Sequence, residues 1–315
     1  MVRLRDLAEL VRAPAALSVP GDVIAGAAAG RALGPGTAGL ACSSVCLYWA
    51  GMAANDWADR DLDAAERPER PIPSGRVRPG EALAVAAGLT AAGLAVAGLT
   101  GGRRALAIAA PLAAAVWTYD LAAKNTRAGP LLMAVCRGLD VLLGATSTPA
   151  PARAPAPPGR SPTIPARVPA PPVGSLAPPG RSLVGALPAA LTIAAHTYLL
   201  TELSRAETTG TTPARPATTL AATLALATTV AVPPASGPAQ GALAGWYAVQ
   251  FGRSQARAVA EPSAARVRDA VAAGIVSLPA LQGALAARSG APRAGVVLAA
   301  LVPLARRLAR KVSPT

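Results

Sequence analysis

The sequence is poor in aromatic and charged side chains, and both shortages narrow the class of protein. Phe, Trp and Tyr make up 3% of the 315 residues and charged residues 15%, although the net charge is +14. A nucleic-acid-binding protein carries its charge on a basic face with interleaved aromatic residues, so we expect no nucleic-acid partner. Hydrophobic residues make up 52% of the chain. This composition is too apolar for an ordinary soluble domain and predicts a protein of the lipid bilayer.

Cysteine and histidine are also scarce, which argues against a metal site built from thiolates and imidazoles. The three cysteines, Cys42, Cys46 and Cys136, lie in apolar runs, and His196 is the one histidine. Cys42 and Cys46 are one helical turn apart, but no histidine or further cysteine lies nearby to complete a tetrahedral site. We interpret all three cysteines as buried structural thiols.

Long apolar segments dominate the chain, and about 20 such residues suffice for one transmembrane helix. The segments lie at 14–33, 36–55, 80–100, 104–121, 130–148, 183–203, 216–234, 238–252, 270–287 and 292–305. The eighth segment is short, and we expect either a span or an interfacial helix there. The amino terminus lacks the order of a cleaved signal peptide, so the first segment is expected to remain as a span. The prediction is an all-α, multi-pass bundle of nine or ten transmembrane helices in a single domain, 1–315.

The distribution of Lys and Arg predicts the orientation of this bundle in the cell membrane. These residues concentrate in the loops that follow even-numbered spans, which places those loops in the cytoplasm. The polar motifs of the chain follow the second, fourth and sixth spans. They are therefore expected to form one site on the cytoplasmic side.

Residues 149–181, between the fifth and sixth spans, are rich in proline and contain no acidic residue. This composition is typical of a disordered or polyproline segment. Its role is either that of a passive extracytoplasmic loop or that of a ligand for a partner domain.

The most informative stretch follows the second apolar segment and reads Asn-Asp-Trp-Ala-Asp-Arg-Asp-Leu-Asp from Asn55 onward. In a continuous helix Asp56, Asp59 and Asp63 share one face, with Asn55 one turn before Asp59. Like charges on one face repel each other, so the pattern indicates a Mg²⁺ ion that bridges to phosphate. Asp61 points elsewhere and is expected to be solvated or salt-bridged. The alternative is a solvated interfacial loop balanced by the neighbouring arginines.

This stretch, followed by Arg-Pro-Ile-Pro-Ser-Gly-Arg from Arg70 onward, resembles the first Asp-rich motif of the UbiA superfamily of membrane prenyltransferases. The resemblance implies helices around a central cavity and a reaction in which Mg²⁺ helps to ionise an isoprenyl diphosphate. It also implies that Asn55, Asp56, Asp59 and Asp63 bind the metal and the diphosphate, the three aspartates being catalytic. Arg70 is then a further diphosphate ligand.

The end of the fourth segment carries a second match. The sequence Tyr-Asp-Leu-Ala-Ala-Lys from Tyr119 to Lys124 is similar to the Tyr and Lys pair of the same family. The resemblance implies that Lys124 holds diphosphate oxygens and that Tyr119 faces the forming allylic cation. The alternative is that Lys124 only obeys the positive-inside bias and Tyr119 only anchors the membrane interface.

The family's second Asp-rich motif is expected after the sixth segment, but residues 201–210 contain no aspartate. Glu202 and Glu207 are about 140° apart around a regular helix, so they do not form one metal-binding face. Glu207 instead shares a stripe with His196. We retain Arg205 and Glu207 as candidate substrate-binding residues of a divergent superfamily member.

Four ionisable side chains lie inside apolar segments, where charge is expensive and usually faces a cavity or a partner. They are Asp22, Arg137, Asp140 and His196, and all four are candidate substrate-binding residues. Arg137 and Asp140 are three residues apart, so the alternative for this pair is mutual pairing. His196 is either a base on the acceptor side or a hydrogen-bonding group between helices.

The hypothesis is a Mg²⁺-dependent prenyltransferase that joins an isoprenyl diphosphate donor to a hydrophobic or aromatic acceptor within the bilayer. Two alternatives remain open. One is an intramembrane terpene cyclase, which needs no second substrate. The other is a protein that binds or transports polyprenyl lipids without catalysis.

Overall fold

The computed structural model describes residues 3–13, 18–148, 179–232 and 237–300, and the regular structure in these ranges is entirely helical. The predicted all-α bundle is thereby confirmed for the described part of the chain. The helices are α1 (Leu4–Leu10), α2 (Val19–Ala29), α3 (Pro35–Ala58), α4 (Arg60–Glu66), α5 (Pro79–Thr118), α6 (Gly129–Gly144), α7 (Pro179–Ser204), α8 (Ala214–Ala231), α9 (Pro238–Ala260) and α10 (Ala264–Arg288). A π-helical turn, Tyr119–Ala123, follows α5, and residues 292–300 are again helical after α10.

The longest helix, α5, is two antiparallel helices joined at Gly102. This glycine has φ 63° and ψ −152°, a left-handed conformation that only glycine adopts readily. Trp117 Nε1 donates a hydrogen bond to Thr90 Oγ1 at 3.0 Å, across 27 positions of the chain. In a straight helix these residues would be about 40 Å apart, so the chain reverses at Gly102. The two halves match the predicted segments 80–100 and 104–121.

Small residues let the first spans pack closely. A Cβ atom on Gly26 of α2 would collide with the carbonyl oxygen of Val141 on α6, and one on Gly144 would collide with that of Val23. Such small-residue contacts are typical of helix pairs in membranes. The hydrophobic effect does not bring helices together in lipid, so their association depends on close packing. The crossing of α2 and α6 therefore depends on both glycines.

Within the described residues, four helical stretches are long and apolar enough to cross a membrane: Pro35–Ala58, Pro79–Ala123, Leu183–Ser204 and Ala264–Arg288. Because the second stretch folds back at Gly102, it contains two candidate crossings. Large side chains such as Leu99 and Leu191, which are 89% and 67% exposed, suit a surface covered by lipid. The total of nine or ten spans stays a prediction.

Some predictions about individual segments were wrong. Cys42 is exposed and Cys46 half-buried, so only Cys136 fits the expectation of buried thiols. α9 runs well beyond the predicted 238–252 and buries Tyr247 and Phe251 in the bundle. α7 begins at Pro179, inside the proline-rich segment, whose remainder lies outside the described residues, as does the end of the tenth apolar segment.

Candidate active site

The Asp-rich stretch is interrupted at its centre. α3 ends at Ala58, and Asp59, with φ −87° and ψ 1°, joins it to α4. The single continuous carboxylate face that we expected is therefore broken at Asp59. Asp56 and Asp63 are still buried, being 4% and 2% exposed, whereas the Asp61 side chain is 88% exposed and lies 3.5 Å from Arg60.

Basic side chains neutralise the three aspartates. Arg70 Nη1 is 2.5 Å from Asp63 Oδ2 and 3.5 Å from Asp56 Oδ1. Lys124 Nζ is 2.6 Å from Asp59 Oδ1. Arg70 and Lys124 thus offset part of the negative charge of these carboxylates, and the binding of a divalent cation beside them stays a prediction.

A third cation of this cluster comes from the amino-terminal segment and was missed by the sequence reasoning. Arg12 Nη2 is 2.7 Å from Asp56 Oδ1. The Arg12 side chain is 39% exposed, while that of Asp56 is 5% exposed, so Arg12 covers a buried carboxylate from the solvent side. Its only signal in the sequence is its position just before the first apolar segment.

The π-helical turn at the end of α5 brings Lys124 into this cluster. The Lys124 amide donates to the Tyr119 carbonyl oxygen at 2.9 Å, which closes a wider turn than an α-helix has. Turns of this kind often occur at functional sites in proteins. Tyr119 and Lys124 thus lie at opposite ends of one irregular turn.

Asp120, in the same turn, was also missed as a site residue. It is 3% exposed, and its Oδ1 accepts a hydrogen bond from Asn55 Nδ2 at 3.3 Å. A Cβ atom on Gly51 would meet Val116 Cγ1 at 2.7 Å and Asp120 Oδ2 at 3.0 Å. Gly51 therefore leaves the space in which Asp120 approaches α3. The signal available in the sequence was an acid next to Tyr119 within an apolar run.

An apolar cavity opens beside this cluster, between α3, the second half of α5 and α6. Its walls include Leu47, Met52, Leu112, Val116 and Met133. Tyr119 and Asp120 also line it, as do Ser44, Arg137 and Asp140. Since Asp120 binds Asn55, the cavity adjoins the acidic cluster directly.

The charges inside the bundle pair across helices. Arg137 Nε is 2.8 Å from Asp22 Oδ2 on α2, so Arg137 pairs with Asp22 and not, as in the alternative considered above, with Asp140. Gln282 Nε2 donates to Asp22 Oδ1 at 2.7 Å, and Ser44 Oγ donates to Asp140 Oδ1 at 2.5 Å. Of these charged residues, Arg137 and Asp140 line the cavity.

His196 lies apart from the cavity and bonds another helix. It is fully buried, and its Nδ1 is 2.8 Å from the hydroxyl oxygen of Tyr247 on α9. Its ring also lies edge-on to Phe251. This placement matches the interhelical alternative and does not bring His196 to the acidic cluster.

The segment after α7 contacts the turn that follows Lys124. α7 ends at Ser204, so Glu207 does not continue the helical stripe that we expected. Arg205 Nη1 donates to the Thr126 carbonyl oxygen at 2.8 Å, and Arg268 Nη1 donates to the Glu207 carbonyl oxygen at 2.7 Å. Partial burial raises the pKa of the Glu207 carboxyl, and the positive charge of Arg268 opposes that shift.

The donor set fits a Mg²⁺ ion that arrives with a phosphate ligand. Over the described ranges, no group of three or more His, Cys, Asp or Glu side chains is arranged to hold a metal by itself. Mg²⁺ usually binds one or two protein carboxylates and completes its shell with water and substrate phosphate. Asn55, Asp56 and Asp59 offer hard oxygen donors of this kind, and the Asp59 side chain is 23% exposed. The roles of Asn55, Asp56, Asp59 and Asp63 as metal ligands stay predictions.

Comparison of the sequence with known proteins identifies a family and several named relatives. The sequence profile of the UbiA prenyltransferase family matches residues 17–309. The digeranylgeranylglyceryl phosphate synthase of Methanopyrus kandleri is 38% identical over 159 residues, which cover 47% of this chain and 56% of that protein. The enzyme of that name from Ignicoccus hospitalis is 37% identical over 151 residues, covering 46% of this chain and 48% of that protein. The alignments thus span about half the length of these curated relatives.

Two solved structures share the fold. One, from a study of digeranylgeranylglyceryl phosphate synthase in membranes, superposes with a TM-score of 0.62 at 16% identity, covering 93% of this chain and all of that one. The other is the apo structure of a UbiA homologue from Aeropyrum pernix K1, with a TM-score of 0.58 at 20% identity over 90% of this chain and 98% of that one. At these identities the likeness concerns the fold alone.

Proposed function

This chain belongs to the UbiA prenyltransferase family, and we propose that it transfers an isoprenyl group from a prenyl diphosphate to a hydrophobic acceptor in the membrane. One observation carries the proposal: a dense cluster of acidic and basic side chains adjoins an apolar cavity inside the helix bundle. A donor with a charged head and an apolar tail matches both parts of that site.

The basic side chains of the cluster bind the diphosphate head of the donor. Lys124 and Arg70 each contact an aspartate in the described structure and keep further N–H donors for phosphate oxygens. Asn55, Asp56 and Asp59 would hold Mg²⁺, which supplies Lewis-acid stabilisation of the leaving diphosphate. The fixed charges stabilise the negative charge that develops as the carbon–oxygen bond breaks.

The cavity holds the apolar tail and keeps water from the allylic cation. Its walls are mostly aliphatic, and Tyr119 lies on them next to Asp120. The electron-rich face of an aromatic ring attracts a nearby cation, so Tyr119 is the residue that we assign to stabilise the allylic carbon. Exclusion of water prevents hydrolysis until the acceptor nucleophile arrives.

The first acceptor to test is a prenylated glyceryl phosphate. The relatives are named as synthases of digeranylgeranylglyceryl phosphate, a product with two geranylgeranyl groups on glyceryl phosphate. Such an acceptor would agree with the hydrophobic acceptor that the sequence led us to expect. An aromatic acceptor is the second class to include.

The test is turnover of a labelled geranylgeranyl diphosphate by the purified protein in liposomes with Mg²⁺. Released diphosphate and new prenylated masses are followed with each acceptor and with none. We expect acceptor-dependent release that the Asp59→Ala variant loses. Asp61→Asn is the matched control, because the Asp61 side chain is 88% exposed and should be dispensable.

Other outcomes separate the competing functions. Release of diphosphate without any acceptor, together with a cyclic hydrocarbon product, would identify a cyclase. Donor binding without release, across every acceptor tested, would identify a lipid-binding or transport protein. Full turnover by Asp59→Ala would contradict the role that we propose for the acidic cluster.

A further inference from the structure

The amino-terminal helix α1 is docked on the loop that carries the Asp-rich site. Leu10 is fully buried in a cluster with Ala53 and Ala54 of α3 and with Ile72 and Val77 of the loop before α5. Burial of the apolar Leu10 side chain stabilises this packing. α1 therefore packs against both α3 and the loop next to the acidic residues.

Arg76 uses every N–H group of its guanidinium to join this helix to the loop. Its Nη1 and Nη2 lie 2.6 and 2.9 Å from the two Glu9 carboxylate oxygens, and Nη1 is 2.8 Å from Asp6 Oδ1. Nη2 also donates to the Glu69 carbonyl oxygen at 2.6 Å, and Nε donates to Ser74 Oγ at 3.0 Å. A guanidinium has five N–H donors, so Arg76 has none left for a substrate. Its role is to join α1 to the loop.

Arg12 follows the docked helix α1, and its backbone conformation is unusual for a residue with a side chain. Its φ is 46°, in the left-handed region that residues with a side chain rarely occupy. Such a conformation persists only where the surroundings impose it. The anchored helix on one side and the Asp56 contact on the other supply that constraint. The direction of the Arg12 side chain thus depends on how α1 is held.

Arg12 is also the most accessible of the cations that contact the aspartates. Its side chain is 39% exposed, compared with 20% for Arg70 and 15% for Lys124. Asp56 has a second basic neighbour, since Arg70 Nη1 is 3.5 Å from the same oxygen. Arg12 can therefore leave Asp56 without leaving a buried carboxylate unpaired.

We propose that Arg76 is a positioning residue that holds α1 on the loop, so that Arg12 moves from Asp56 to the diphosphate of the donor. Arg12 is then a binding residue supplied by the segment that precedes the first span. The inference rests on the proposed function, because it assumes a diphosphate in this site.

The experiment separates docking of α1 from binding of diphosphate. Docking is measured in a Leu10→Cys background as the rate at which the introduced thiol reacts with a maleimide, followed by mass spectrometry of its peptide. Binding is measured with inorganic diphosphate and Mg²⁺ by titrating the thermal stability of the detergent-solubilised protein. The variants are Arg76→Ala, the double change Asp6→Asn with Glu9→Gln, and Arg12→Gln. The matched control is Arg78→Ala, since Arg78 is 81% exposed and pairs with Glu81.

We expect Arg76→Ala and the Asp6/Glu9 double variant to react faster with maleimide and to bind diphosphate about tenfold more weakly, the cost of losing one charge-assisted hydrogen bond. Arg12→Gln should weaken binding equally and leave the maleimide rate unchanged. Arg78→Ala should match the parent in both assays. For the donor, Arg76→Ala should raise KM far more than it lowers kcat.

Three results would overturn the inference while the proposed function stands. They are a parent that binds diphosphate no better than Arg12→Gln, an Arg76→Ala variant that exposes the thiol but binds diphosphate normally, and an α1 that stays protected in both docking variants. A parent that does not bind diphosphate with Mg²⁺ at all would defeat the proposed function and this inference together. The double variant keeps the test valid even where Arg76→Ala fails to fold.

Discussion

Lys124 Nζ lies 2.6 Å from Asp59 Oδ1, although 65 positions separate the two residues in the sequence. The contact joins the end of α5 to the junction between α3 and α4. It therefore ties together the two motifs that the sequence placed after the second and fourth spans. The two motifs therefore form one site, in which the cation of Lys124 and the carboxylate of Asp59 are in contact.

The first prediction concerns this pair. Lys124→Met removes a donor for phosphate oxygens and leaves Asp59 without its partner, so prenyl transfer should fall by about a hundredfold, the scale of one lost electrostatic contact in a transition state. Turnover of labelled donor measures it. Arg127→Met, which removes an exposed charge three residues later, should keep normal turnover. Equal losses in the two variants would mean that only the local net charge matters.

The second prediction concerns the space beside Asp120. Gly51→Ala places a methyl group 2.7 Å from Val116 Cγ1 and 3.0 Å from Asp120 Oδ2, so α3 and α5 must move apart. We expect a loss of about 1–3 kcal/mol in the free energy of unfolding, as for overpacked cores. Gly88→Ala is the control, because a Cβ atom there meets nothing within 4 Å. Denaturation in detergent compares them, and equal stability of the two variants would contradict the close approach.

The third prediction concerns the ion pair inside the bundle. Arg137→Met leaves Asp22 buried without its cation, and breaking a buried pair from one side costs about 3–5 kcal/mol. Adding Asp22→Asn should recover much of that loss, because no uncompensated charge remains. A double-mutant cycle measures the coupling, with Arg104→Met as an exposed control. Additive effects of the two changes would show that the pair contributes nothing.

Much of the fold was predictable because its signals are local. The apolar runs at 80–100 and 104–121, separated by glycines and arginines, predicted the reversal that the structure places at Gly102. The motif from Asn55 to Asp63 likewise identified the correct family, because its spacing is contained in a few helical turns. Hydropathy and short motifs reveal such local features directly.

The contacts that complete the site were not predictable, because they join distant parts of the chain. Arg12 meets Asp56 across 44 positions, and no periodicity connects the two. Arg137 had a nearby partner in Asp140, yet it pairs with Asp22 on another helix. The break at Asp59 was missed for a different reason, since the pattern of aspartates agrees equally well with an unbroken helix.

The fourth prediction is a pH dependence of α1. The hydrogen bond from Arg76 lowers the pKa of Glu9 below its ordinary value of 4.5. Docking of α1 is therefore fully stabilised above that value and weakens as the pH falls below it, through the pKa of the folded state. Hydrogen exchange of residues 4–13, corrected for the intrinsic rate, should rise in this acidic range. The Glu9→Gln variant should exchange faster at neutral pH and lose this part of the pH dependence.

The fifth prediction concerns sidedness, because the distribution of Lys and Arg predicts that the site lies on the cytoplasmic side. A thiol introduced by Asp61→Cys should react with an impermeant maleimide only in inverted vesicles. The thiol of Arg103→Cys, beside the reversal at Gly102, should react only from the opposite side, because one half of α5 separates the two positions. Labelling of both from one side would refute the crossing of the bilayer by α5.

At the π-helical turn from Tyr119 to Ala123, the number of residues matters as much as their type for the position of Lys124. Deleting one residue from this turn would restore α-helical spacing and rotate Lys124 by about 100° around the helix axis. Lys124 would then no longer face Asp59, although every polar group of the site would still be present. Tolerance to substitution at Leu121 or Ala122, both exposed, should therefore coexist with intolerance to any deletion there.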